Sequence, residues 1–122
     1  MNTKIMEYLN CSESKSFKDT LFSFIDNSGL SDSEIYKRAD VDRKLFSKIR
    51  CGKNYVPRRN VILKLGLALD LSMKDFEKLL KSGGYSLSEN KFDKVISCCL
   101  ENNIYDLESV NYYLFAFCNA TL

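Results

Sequence analysis

The chain has 122 residues, 45% of them hydrophobic, with 18 Lys and Arg against 16 Asp and Glu, five cysteines and no histidine. That length suffices for one domain with its own core, and the lack of histidine removes Ser-His and Cys-His nucleophile pairs and most zinc ligand sets. No apolar run reaches the ~18 residues of a membrane span, and MNTKIMEYLNCSESK lacks the apolar stretch and cleavage site of a secretory signal. The expectation is a cytoplasmic, non-enzymatic protein with no cofactor, no metal and no membrane partner.

Helix-start signals punctuate the chain, and no alternating run competes with them. Ser16-Phe-Lys-Asp19 opens a first helix with the stripe Phe17, Leu21, Phe24 and Ile25, and Ser31-Asp-Ser-Glu34 a second with Ile35 and Ala39. Asp42 caps a third, with Leu45, Phe46 and Ile49 inward, and the segment after Pro57 starts a fourth through Val61, Ile62, Leu65, Ala68 and Leu69. Ser72-Met-Lys-Asp75 opens a fifth (Met73, Phe76, Leu79, Leu80) that stops at Ser82-Gly83-Gly84, a helix end and not a phosphate loop. Ser88 is read as the cap of a sixth (Phe92, Val95, Ile96, Cys99) and Asp106 of a seventh (Leu107, Val110, Leu114, Phe117, Cys118). The predicted fold is all-α: a compact bundle of about seven short helices, one domain over 1–122, with a core at 16–82 and a C-terminal helical pair at 86–122.

The cysteines, at 11, 51, 98, 99 and 118, are odd in number and irregularly spaced, which fits reduced thiols. Cys98, Cys99 and Cys118 read as small buried apolar residues. Cys51 differs, because Lys48, Arg50 and Lys53 surround it in sequence, the setting of a reactive thiol.

Charge is unevenly distributed. Residues 37–64 hold ten basic and two acidic side chains, net +8, while the rest of the chain holds eight and fourteen, net −6. The acids that normally interleave a solvated helix face are missing there, which points to an anionic partner. On the third helix Lys44, Ser47, Lys48 and Cys51 recur at i, i+3, i+4 and i+7, opposite Leu45, Phe46 and Ile49. With the second helix and a tight turn at Asp40-Val41, this is the sequence pattern of a helix-turn-helix, whose second helix enters the major groove of DNA.

Residues 16–80 resemble the lambda-repressor and Cro (XRE-type) helix-turn-helix family. The likeness rests on Val41-Asp-Arg-Lys-Leu-Phe-Ser-Lys-Ile-Arg-Cys-Gly-Lys53, similar to that family's recognition helix, and on Asn60 to Leu71, similar to its fourth helix. The resemblance implies double-stranded DNA as partner and a repressor-like regulator. By it Asp42, Arg43, Lys44, Ser47, Lys48 and Cys51 face DNA bases, and Lys53, Tyr55, Arg58 and Arg59 flank the phosphates. The chain departs from the family at Tyr36, where a small residue is usual, at Asp40, where a turn Gly is usual, and at Arg50, where Glu is usual. A looser likeness covers nearly the whole chain and is to a small module at the C-terminus of larger bacterial proteins. It implies an alternative function, a non-catalytic adaptor whose basic face meets an acidic protein.

The seventh helix carries Tyr112, Tyr113, Phe115 and Ala116 outside its core stripe. A helix apolar nearly all round is buried on more than one side. Either these aromatics cover the first and fifth helices within one monomer, or Tyr112, Tyr113 and Phe115 form the interface of a homodimer that presents two recognition helices about 34 Å apart to a palindrome.

Overall fold

The computed structural model describes residues 3–6, 16–53 and 55–122, which places Cys11 outside the described residues. Besides a helical stretch at 3–6, these residues form α1 (Phe17–Ser28), α2 (Asp32–Arg38), α3 (Arg43–Cys51), α4 (Arg59–Ala68), α5 (Met73–Ser82), α6 (Lys91–Glu101) and α7 (Leu107–Cys118). No strand occurs among them, so the chain is all-α as its periodicity predicts. No helix among them is long and apolar enough to cross a membrane.

Helix starts follow the cap signals with one exception. Ser16, Ser31 and Ser72 accept the N–H groups of Asp19, Glu34 and Asp75, Asp42 that of Lys44, and Asp106 that of Ser109, each satisfying an amide that lacks an intrahelical partner. The exception is α6, where Asn90 and not Ser88 is the cap: Asn90 Oδ1 accepts from Asp93 N–H at 2.8 Å. Ser88 lies two residues further upstream and binds the Asp93 carboxylate instead.

Helix ends repeat one device. At Asp40, Asp70, Gly84 and Asn103 the backbone turns left-handed, with φ of 51°, 52°, 86° and 57°. At each, the next residue's N–H reaches back to the last turn: Val41 to Tyr36, Leu71 to Gly66, Tyr85 to Leu80 and Ile104 to Cys99. Val41 and Leu71 are themselves buried and are followed at once by the caps Asp42 and Ser72, so α2–α3 and α4–α5 are joined by short, fully bonded links.

A single cluster of buried residues, from Phe17 to Leu114, draws on all seven helices. At its centre lies α4, which packs against α2, α5 and α7 and buries Ile62, Leu63, Leu65, Gly66, Leu67 and Ala68. Gly66 permits the α4–α5 approach, since a Cβ there would lie 2.6 Å from the buried Phe76 ring. Buried apolar residues on this many sides of one helix exclude water from most of its surface. The C-terminal pair α6–α7 packs on itself through Ile96, Cys99, Leu100, Val110 and Leu114 and reaches the core through α4 and α5.

Three burial expectations fail. Phe117 is 58% exposed although it lies only about 20° round the helix from the buried Val110; it sits in the last turn of α7, next to the helix end at Cys118. Cys98 is exposed and Cys118 only half-buried, leaving Cys99 as the buried thiol of the three, and burial pushes its pKa up. Tyr112, Tyr113 and Phe115 are exposed as well, so they do not cover α1 and α5.

Candidate nucleic-acid interface

The charged face is built on α3. Phe46 and Ile49 are buried, which turns Arg43, Lys44, Ser47, Lys48 and Cys51 outward, all exposed, with the Asp42 cap at the helix start. Behind the helix, Phe46 meets the rings of Phe22 and Tyr36, with centroids 6.0 and 5.7 Å away. Tyr36 is thus half-buried packing between α2 and α3.

Two arginines of the basic run are consumed in bracing the fold, Arg50 at α3 and Arg59 at α4. Arg50, at the end of α3, makes a bidentate pair with Asp32 at the start of α2, with Nε at 2.6 and Nη2 at 2.8 Å, and lies 4.1 Å over the Phe22 ring of α1. The Asp32 hydrogen bond raises the Arg50 pKa further. One guanidinium therefore ties three helices together. Arg59 opens α4 and sends Nη2 to Asp93 Oδ2 at 2.6 Å and to the Ser86 carbonyl at 2.9 Å.

Asp93 is 1% exposed. Burial alone would raise its pKa, but the Ser88 N–H at 2.7 Å, the Arg59 guanidinium and the Ser88 hydroxyl at 3.0 Å outweigh it, and the pKa lies below the usual aspartate value. Its Oδ1 is buried with no hydrogen-bond partner among the described residues. Arg59 is thus a brace between α4 and α6 and not the free phosphate-holding cation that its place in the basic run suggests.

The remaining cations stay at the surface. Among the described residues, Arg43, Lys44, Lys48, Lys53 and Arg58 have no carboxylate within ion-pair distance. Lys48 Nζ sits 4.6 Å over the half-buried Tyr55 ring, which links α3 to the segment leading to Arg58. Gly52 makes this possible: a Cβ there would collide with the Lys48 carbonyl oxygen and crowd Tyr55. Lys64 Nζ donates to the Asp40 carbonyl at 3.1 Å and pins α4 to the α2–α3 link. Asp40 takes the left-handed conformation that a turn Gly would supply.

Sequence reasoning brings Arg43, Lys44, Ser47, Lys48, Cys51, Lys53, Tyr55 and Arg58 to one continuous region, from α3 to the start of α4, and the structure agrees on their exposure apart from Tyr55. It misses the Asp32–Arg50 and Arg59–Asp93 pairs, whose partners lie 18 and 34 residues apart. The arrangement offers amine and guanidinium donors, a hydroxyl and a thiol on one convex helix, a surface for binding anions. No family model matches the chain, and no curated protein or solved structure matches it.

Proposed function

We propose that the chain is a sequence-specific DNA-binding transcriptional regulator of bacterial or phage type, with α3 as the segment that enters the major groove. The observation that carries this reading is the exposed stripe of Arg43, Lys44, Ser47, Lys48 and Cys51, opposite a buried Phe46 and Ile49, with no carboxylate paired to its cations among the described residues. Arg and Lys donors suit guanine O6 and N7 in the major groove. Lys53, Tyr55 and Arg58 suit phosphates on either side, which set register without reading sequence. On this reading the protein acts by occupying its site and carries out no reaction of its own.

Selection from random duplexes, followed by fluorescence anisotropy near physiological salt, tests it. Non-specific electrostatic binding has a Kd of about 10⁻⁴ to 10⁻⁶ M, and a selected duplex should bind at least hundreds-fold tighter than its scrambled form. Lys44→Ala and Lys48→Ala should each reduce that preference, by the ~1–3 kcal/mol typical of a bidentate base contact at most. Equal affinity for selected and scrambled duplexes would remove the reading and favour the adaptor, in which the same face meets an acidic protein.

A further inference from the structure

A hollow of about 290 Å³ opens where the C-terminal pair meets the core, and it has no part in the proposed function. Three segments enclose it: the end of α2 with Arg38, the end of α4 and its link with Leu67, Ala68 and Asp70, and the start of α7 with Asp106 and Leu107. Tyr105 closes one side, its hydroxyl donating to the Leu71 carbonyl at 2.9 Å and so holding the α6–α7 link against the α4–α5 link. Leu67, Ala68, Leu107 and the Tyr105 ring make an apolar floor, and the charged groups stand at its edge. An apolar hollow with a few convergent polar groups is the form of a small-molecule site, and this volume, close to the lower end of the ~300–1,000 Å³ usual for such sites, suits a small occupant.

The edge groups select its chemistry. Asp70 Oδ2 lies 4.0 Å from Arg38 Nη1, too far for a hydrogen bond, and the Asp70 carboxylate has no closer ion-pair partner among the described residues. Burial and the Asp70 charge push the Tyr105 pKa up, which sets that carboxylate near the ring. Asp106 spends Oδ2 on the Ser109 N–H as the cap of α7 and keeps its other oxygen. One guanidinium against two carboxylates leaves the edge with a net charge of −1. Two carboxylates are too few for a divalent ion, and no group of three or more Cys, Asp or Glu that could hold a metal occurs among the described residues. We infer that this hollow binds a small organic ammonium ion, whose apolar body lies on Leu67, Ala68 and Leu107 and whose charged group faces Asp70 and Asp106.

A primary ammonium carries three donors on one compact charge. Those suffice for the two carboxylates and for the Tyr105 oxygen, whose own proton is committed to Leu71. The ion displaces little, because a long ion pair between side chains as exposed as Arg38 and Asp70 is weak. Its apolar body removes the floor from water, which a bare ammonium or a metal ion does not do. An anion has only Arg38 to meet and two carboxylates against it. The inference does not depend on what α3 binds.

Phenethylammonium is the probe, with phenethyl alcohol and hydrocinnamate as its neutral and anionic counterparts, each titrated into the whole chain and followed by backbone amide NMR shifts. The ammonium should shift the amides of Ala68, Asp70 and Leu107 saturably and bind about tenfold or more tighter than the alcohol, with hydrocinnamate the weakest. Asp70→Asn with Asp106→Asn should bring the ammonium level with the alcohol. The fold should survive this pair, because Asn tolerates the left-handed backbone at position 70, where φ is 52°, and caps a helix as well as Asp does. Arg38→Gln removes the competing cation and should tighten ammonium binding several-fold. The inference is overturned by the absence of saturable shifts, by an alcohol that binds as tightly as the ammonium, or by a folded double variant that binds unchanged. Shifts centred instead on Ser97 and Glu101, in the acidic groove between α5 and α6, would overturn it as well. Should the double variant lose its helical circular dichroism spectrum, the three compounds on the natural chain decide alone.

Discussion

Replacing Arg59 by Leu tests whether this arginine braces the fold or waits for a phosphate. In the folded chain Asp93 Oδ2 accepts three hydrogen bonds, and Arg59 supplies the shortest and the only charged one. Arg59→Leu leaves a buried carboxylate with two Ser88 donors on one oxygen and none on the other. Breaking a buried pair from one side costs ~3–5 kcal/mol. Because the Arg59 side chain is 26% exposed, water reaches the gap, and we expect the lower end, about 3 kcal/mol.

Urea denaturation should show this as a midpoint lowered by roughly 2 M at an unchanged slope. The pH dependence carries a sign. In the natural chain the depressed Asp93 pKa contributes stability that is complete above the unfolded value of ~3.9 and is lost only as pH falls through the lower folded value. Without Arg59 the two Ser88 hydrogen bonds remain but the cation that helps hold the pKa down is gone, so the Asp93 pKa of the variant rises from its depressed value. The deficit of the variant should then shrink as pH falls through that raised value and the carboxylate takes up its proton. Arg59→Met with Asp93→Leu, which removes both charges, should recover most of the loss. A loss under about 1 kcal/mol that does not change with pH would refute the brace and return Arg59 to the surface cations.

Gly66→Ala places a methyl 2.6 Å from the Phe76 ring between two closely packed helices, and should destabilise by ~1–3 kcal/mol in the same urea assay. Asp40→Val puts a β-branched residue at φ 51° and should cost about 1–2 kcal/mol, whereas Asp40→Gly should leave stability equal or higher. Alkylating Cys51 on the α3 face should weaken binding to the selected duplex, and Cys51→Ser should bind normally and ignore the reagent. Cys99, which is buried, should resist alkylation until the chain unfolds.

Much of this architecture is readable locally. Caps and apolar stripes act within one or two turns, so Ser16, Ser31, Asp42, Ser72 and Asp106 announce their helices, and the burial of Phe46 and Ile49 alone dictates which side chains of α3 face water. The exception at α6 arises where two capping residues, Ser88 and Asn90, stand two positions apart: Asn90 Oδ1 takes the Asp93 N–H, and the Ser88 hydroxyl goes to the Asp93 carboxylate five residues on. Periodicity finds a buried face but not how far along the helix it runs, so Phe117, in the last turn of α7, reads as inside, whereas Cys98 reads so from its residue type alone. The braces are invisible for a different reason. Nothing near Arg50 or Arg59 in sequence distinguishes them from Arg43 or Arg58; their acids arrive only when α2 and α6 pack into place.

That sorting of the cations by residue type has a chemical consequence. Both braces are guanidinium groups, while four of the exposed cations around α3, Lys37, Lys44, Lys48 and Lys53, are primary amines. Acetylation removes the charge of a lysine and leaves arginine untouched. Acylating those four lysines would halve the net charge of residues 37–64, from +8 to +4, and weaken any grip on a polyanion, while the Arg50–Asp32 pair that ties α3 to α2 stayed intact.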